Sequence, residues 1–345
     1  MIRRVSARRW PSADPSAELQ RQLEYRLASH FGRRRAIVAL VRRLSPYSSS
    51  FPVEELDVRL EDGAELRLVL KDLSAAAISP TARRARPEFL YEPRRELQTY
   101  RWILPHAPAG TATWYGAVEN SMIRRHWLFL ERVPGLELRH VGGLAVWERA
   151  ARWIADFHQA FRPGGVERLV QTARLLVYDE AFYWLWLERA QRFAARRPKV
   201  RAVLDRIARG YAAVVERLVS MPHTLIHGEF YPCNILVGRA ETATRVCPVD
   251  WEMAALAPPL IDLASLTTGW ARASQRALVR AYRAAVGQGD ASCGHGPDEF
   301  DRDLECCRLH LAVRMLGWSE AWRPPPQHTF DWLDAAERSA DTLAR

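Results

Sequence analysis

The 345-residue sequence has little cysteine and almost no lysine. Its five cysteines, Cys233, Cys247, Cys293, Cys306 and Cys307, form an odd set with no CxxC pair, which argues against both a disulfide framework and a zinc site. Free thiols are expected. No apolar run approaches the roughly 18–20 residues that a membrane-spanning helix needs, and the aliphatic stretch 36–41 stands between arginines. The basic opening Met1-Ile2-Arg3-Arg4 is not followed by the apolar segment of a signal peptide, so a cytoplasmic location with no membrane partner is expected. No internal repeat or low-complexity linker interrupts the chain.

What is present is arginine. The formal net charge of +10 raises the question of nucleic acid, because a basic surface gains by releasing counterions from phosphates. The arginines are dispersed, however, with only short clusters such as Arg33-Arg34-Arg35 and Arg196-Arg197. No nucleic-acid-reading motif accompanies them, so a solvated arginine-rich surface is the expectation and a nucleic-acid partner is not. Of fifty basic residues, only Lys71 and Lys199 are lysines. Lys199 stands in a polar break between helical stretches, whereas Lys71 closes a strand pattern.

With 48% hydrophobic and 26% charged residues the chain can bury the cores of two lobes. Residues 16–44 read as mixed helical and extended pieces. Leu56, Val58 and Leu60 alternate with polar residues, Glu61-Asp62-Gly63 supplies a turn, and Leu66, Leu68 and Leu70 alternate again before Lys71, which predicts a hairpin. The spacing of Leu97, Tyr100 and Ile103 predicts a helix over 93–104, and strands follow at 113–118 and 126–130. Val133-Pro134-Gly135 breaks the pattern before a mainly helical remainder, with helices predicted over 146–161, 178–195, 200–219, 271–286 and 298–318.

The densest chemistry lies in a short β insertion among those helices. Leu225-Ile226 and Ile235-Leu236-Val237 read as buried strands that hold the loop His227-Gly228-Glu229-Phe230-Tyr231-Pro232-Cys233-Asn234 between them. A second apolar arm, residues 246–249, delivers Asp250-Trp251-Glu252. Glu229, Asn234 and Asp250 thus gather oxygen donors for a hard cation at strand ends, the equipment that phosphoryl transfer requires for positioning and charge neutralisation. Read singly, Asn234 satisfies a loop and Asp250 pairs with an arginine; the ordered combination favours a site.

These residues resemble the aminoglycoside phosphotransferase and choline kinase group, distant relatives of protein kinases. His227-Gly228-Glu229-x-x-x-x-Asn234 is similar to that group's HGDxxxxN catalytic loop, Asp250-Trp251-Glu252 to its metal-binding segment, and Pro259-Leu260-Ile261-Asp262-Leu263-Ala264 to the segment whose Asp supports the loop. The resemblance implies an α+β, bilobal, protein-kinase-like fold: a small β-rich nucleotide-binding lobe with an N-terminal helical extension (1–131), and a larger helical lobe with the catalytic loop and acceptor site (132–345). It implies Mg2+ held by Asn234 and Asp250, ATP or GTP as donor, a small-molecule hydroxyl as acceptor, and Glu229, Asn234 and Asp250 as the catalytic set. His227 and Asp262 would support the loop. On the nucleotide side it implies Lys71 on the phosphates, Glu96 as its partner with Glu92 as the alternative, and base contacts from Glu131 to Val133. His158 matches the group's LxxLH helix, and a packing histidine is the plainer reading.

Two departures stand out. Glu229 replaces the usual Asp, extending the acid by one methylene. The loop holding Ser45, Ser48 and Ser49 occupies the place of a glycine-rich phosphate loop, with Ser48 and Ser49 as candidate contacts and a plain surface turn as the alternative. The aromatic set Tyr178, Phe182, Tyr183, Trp184 and Trp186 has helical spacing and reads as core rather than a cation box. Asp298, Glu299, Asp301, Asp303 and Glu305 read as helix-start acids. The competing class is a nucleotide-binding scaffold without catalysis.

Overall fold

A computed structural model describes residues 16–46, 48, 50–120, 122–161, 166–239, 244–287, 297–318 and 330–345. Ser49 and Cys293 lie outside the described residues. The architecture is α+β, and the chain divides into two units, one of Met1–Arg84 with Ala112–Arg132 and one of Ala85–Thr111 with Val133–Arg345.

In the first unit, helix α1 (Ser16–Phe31) precedes strands β1 (Ile37–Leu44), β2 (Val53–Leu60) and β3 (Glu65–Asp72). Helix α2 (Pro80–Ala85) follows, and strands β4 (Trp114–Asn120) and β5 (Arg125–Glu131) complete an antiparallel sheet of order β1-β2-β3-β5-β4. Leu19, Leu23 and Leu27 recur every fourth residue, which puts them on one face of α1. All three are fully buried in a core shared with Leu56, Val58, Leu68, Leu70, Trp127 and Phe129. Each such side chain contributes about 1.5–3 kcal/mol by leaving water. The β2–β3 turn uses Gly63 at φ 83°, a conformation that favours glycine, and Asp62 accepts a hydrogen bond from the Ala64 N–H. Lys71 therefore sits near the end of β3, opposite Val53 on one side and Leu128 on the other.

The second unit starts with helix α3 (Pro93–Gln98), capped by the Glu92 carboxylate on the Arg94 N–H. The single helix expected over 93–104 is interrupted: α3 passes into a π-helical turn at Thr99–Ile103 and a 3-10 turn at Leu104–His106. Pro105 contributes to the interruption, because proline lacks the N–H that would continue the helical hydrogen-bond ladder. Strand β6 (Leu136–Glu137), helices α4 (Leu144–Ala160) and α5 (Val166–Thr172), strand β7 (Leu176–Val177) and helices α6 (Glu180–Phe193) and α7 (Pro198–Ser220) come next. Then follow β8 (Thr224–Ile226), β9 (Ile235–Arg239), β10 (Thr244–Pro248), β11 (Ala255–Ala257) and helices α8 (Leu260–Thr267), α9 (Arg272–Val286), α10 (Pro297–Leu316) and α11 (Trp332–Leu343). The short strands pair into two three-stranded sheets, β10-β9-β6 and β7-β11-β8.

Tyr178, Phe182, Tyr183 and Trp186 are buried, with Tyr178 and Phe182 stacked at 4.0 Å, so the aromatic segment is core. The acids at the start of α10 are partly consumed by neighbours: Asp303 pairs with Arg217, and Glu305 with Arg308 and Ser339. Among the described residues no helix is long and apolar enough to cross a membrane.

Candidate active site

Strand β8 is buried along its whole length and runs directly into His227-Gly228-Glu229. Asp262, in the first turn of α8 and fully buried, fastens this loop: its carboxylate accepts the His227 N–H at 2.7 Å and the Gly228 N–H at 2.9 Å. The same carboxylate lies 3.2 Å from His158 Nε2, and His158 Nδ1 lies 2.9 Å from the Tyr282 hydroxyl. The network assigns the proton to Nε2, which donates to Asp262, while Nδ1 accepts from Tyr282. A helix N-terminus also favours a carboxylate at this place. His227 makes a second tie, with Nε2 donating to the Val249 carbonyl at 3.0 Å and Nδ1 accepting the Glu229 N–H at 3.3 Å. The loop is thereby joined to the residue before Asp250.

Gly228 is required by geometry. Its φ is 82°, and a Cβ at this position would stand 2.2 Å from the Met253 carbonyl oxygen. Its own carbonyl accepts two hydrogen bonds, both 3.0 Å, from the Arg314 guanidinium.

The second arm ends in Asp250, held at φ 68° and ψ 60°, left-handed values that only a few non-glycine residues adopt. The Val249 N–H donates to the Asn234 carbonyl at 2.9 Å, and Asn234 Nδ2 donates to the Glu229 carbonyl at 3.0 Å, which ties both arms together and leaves the amide oxygen of Asn234 as the acceptor end. Carboxylate oxygens of Glu96, Asp250 and Glu252 lie within 4.8 Å of one another. Buried Arg95 docks α3 onto this turn: it donates to the Glu252 carbonyl at 2.7 Å and the Leu90 carbonyl at 3.2 Å, and burial depresses its pKa to about 10. Glu96 is consequently carried to Asp250. Arg86 donates to both carboxylate oxygens of Glu252 at 2.9 Å. Burial works against the Arg86 charge, yet the neighbouring carboxylates outweigh it and raise its pKa.

Glu229 is largely buried. Burial lifts its pKa to about 7 against the lowering by Arg314, and the nearby charges of Glu252 and Asp250 push in the same direction as burial. A carboxylate in such surroundings holds its proton up to neutral pH.

Of the residues expected on the nucleotide side, Glu96 and Val133 belong to the second unit and Lys71, Ser48 and Glu131 to the first. Ser48 closes the β1–β2 loop: its hydroxyl donates to the Val53 carbonyl at 3.1 Å and accepts the Val53 N–H at 3.0 Å. Glu131 accepts from the N–H and hydroxyl of Thr113, and Val133 is buried.

Residues 53–296, well over half of the chain, match the family described as the phosphotransferase enzyme family. The chain belongs to that family. It is an enzyme of the kinase and phosphotransferase class. A search of curated proteins found no match. Solved structures show the same fold at low identity. The GDP complex of wild-type aminoglycoside 2'-phosphotransferase-IIIa aligns over 94% of this chain and 98% of that one, with TM-score 0.55 and 15% identity. The apoenzyme of macrolide 2'-phosphotransferase MphH from Brachybacterium faecium covers 87% and 97% at TM-score 0.51 and 18% identity. Plasmodium vivax ethanolamine kinase covers 96% and 89% at TM-score 0.57 and 10% identity.

Sequence reasoning about this phosphotransferase missed Arg86 and Arg314. A signal for Arg314 existed: it continues the buried stripe Leu304, Cys307 and Leu311 of α10, where a charged residue must find partners. For Arg86, in an arginine-rich polar stretch, no local signal distinguishes it from its neighbours.

Proposed function

We propose that the protein transfers the γ-phosphoryl group of ATP or GTP to a hydroxyl group of a small molecule, with Mg2+. The observation that carries this reading is the gathering of Glu96, Asp250 and Glu252 oxygens around one point, with Glu229 within their electrostatic reach. The donor set fits magnesium, because carboxylate and amide oxygens suit a hard cation. Since Arg86 occupies both oxygens of Glu252, Asp250 and the Asn234 amide oxygen are the residues that would hold the ion. Bound there, Mg2+ would neutralise phosphate oxygens of the donor.

The remaining steps belong to the chain's own side chains. Glu229 orients the acceptor hydroxyl and takes its proton on a carboxylate oxygen, a task suited to a group whose pKa lies near neutrality. His227 and Asp262 keep the loop rigid so that this carboxylate arrives in place. Lys71 presents a compact ammonium to the donor phosphates, with Glu96 as its counter-charge. Backbone groups from Glu131 to Val133 receive the base, and the β1–β2 loop at Ser48 covers the phosphates.

The reading is tested by magnesium-dependent consumption of ATP or GTP against a panel of hydroxylated amines, sugars and macrolides. Turnover on at least one acceptor, lost in Asp250→Asn, is expected. Tight nucleotide binding with no turnover on any acceptor would identify a scaffold instead.

A further inference from the structure

We infer that Arg314 is the positioning residue that sets the reach of Glu229, an inference that rests on the proposed phosphotransfer reading. Arg314 lies in α10, is 1% exposed, and spends its guanidinium on the catalytic loop. One NH2 group donates to the Gly228 carbonyl at 3.0 Å and to the Tyr178 hydroxyl at 2.8 Å. The other donates to the same carbonyl at 3.0 Å and to the Tyr231 hydroxyl at 3.1 Å. The planar fork therefore grips the peptide immediately before Glu229 and the tyrosine two residues after it.

The charge balance points the same way. Among the described residues the one acid paired with Arg314 is Glu229, whose Oε1 stands 3.8 Å from the second NH2 group. Nε of Arg314 is buried without a hydrogen-bond partner. A buried guanidinium so placed draws the carboxylate toward itself, since taking a charge out of water is costly unless an opposite charge compensates. The separation is an ion-pair distance, too long for a hydrogen bond, so the carboxylate is held by attraction while its oxygens stay open to a hydroxyl. A side chain shorter by one methylene would withdraw from this field. The loop thus carries its acid at the length that Arg314 can hold, and the guanidinium acts on the reaction through Glu229 without touching the substrate.

The test is a double-mutant cycle on magnesium-dependent nucleotide turnover, with Arg314→Lys, Glu229→Gln and the pair. Arg314→Lys keeps a charge but loses the bidentate grip. It is expected to lower kcat at least tenfold, with the KM for nucleotide changed less than twofold, and to have no further effect in the Glu229→Gln background. Equal losses in both backgrounds, or an unchanged kcat in folded Arg314→Lys, would overturn the inference. Tyr231→Phe, which removes one anchor of the guanidinium, is the second variant should Arg314→Lys not fold, and a several-fold kcat loss that likewise vanishes with Glu229→Gln is expected. A readout free of turnover separates this inference from the function it rests on. Amide exchange at 227–234 should accelerate in the Arg314 or Tyr231 variant, while that of α4 stays unchanged. Unaltered exchange at the loop counts against Arg314, whereas a wild type that consumes no nucleotide counts against the phosphotransfer reading.

Discussion

Glu229 carries the sharpest consequence of burial at the level of a single side chain. Its folded pKa of about 7 lies above its ordinary value of 4.5. Between those values the folded chain retains a proton that the unfolded chain has released, so stability falls as pH rises through this window. Below about 4.5 both states are protonated and nothing is lost; above about 7 the full cost, at most about 3 kcal/mol, is present. Glu229→Gln carries no charge to bury. In metal-free buffer this variant is expected to match the wild type near pH 4.5 and to exceed it by up to that amount at pH 8, read from denaturant midpoints at the two pH values. A wild type and variant with parallel pH profiles would show that Glu229 ionises freely.

Elements, rather than isolated residues, decide how rigidly that carboxylate is held. Asp262 connects α8 to the end of β8 through two backbone N–H groups, and to α4 through His158. Its replacement by Asn leaves an amide where the network supplies donors on every side, so at least one buried pair of donors faces each other. Hydrogen bonds to a buried charge contribute about 1.5–3 kcal/mol each, so Asp262→Asn is expected to cost about 3 kcal/mol or more and to speed amide exchange at His227 and Gly228. Wild-type stability in that variant would show that the loop is held from elsewhere.

The β2–β3 hairpin, the long helices of the second unit and the two arms of the site were legible because their periodicity and turn residues are local. The loop His227 to Asn234 was legible as a loop held between strands because its polar residues interrupt apolar runs. What escaped was set by tertiary contact. Strands β6, β7 and β11 have two or three residues each, too few for a period, and exist only because they pair with neighbours distant in sequence. The fate of Glu96 depends on Arg95 docking against the Glu252 carbonyl across more than 150 positions, which no spacing rule encodes. Arg314 was visible only as an anomaly in an apolar stripe.

For the whole molecule the proposed function couples nucleotide binding to folding: Lys71 lies near the end of a strand of the first unit, and Asp250 follows a strand of the second. A nucleotide that binds the folded chain stabilises it by mass action, about 2.7 kcal/mol when present at a hundred times its Kd. For a chain of this size that corresponds to a rise in Tm of several degrees. Magnesium with ATP or GTP is therefore expected to raise Tm in the wild type. Lys71→Ala removes the ammonium, and the variant's own unliganded Tm is the baseline against which its nucleotide-induced rise is read. The nucleotide-induced rise should then shrink to less than half at the same ligand concentration. Asp250→Asn should lose the magnesium-dependent part of the rise and keep the part that nucleotide alone provides. Were Lys71→Ala to retain the whole rise, the nucleotide would be bound without the first unit's ammonium, and the assignment of the donor phosphates to Lys71 would fail while the carboxylate cluster around Asp250 still stood.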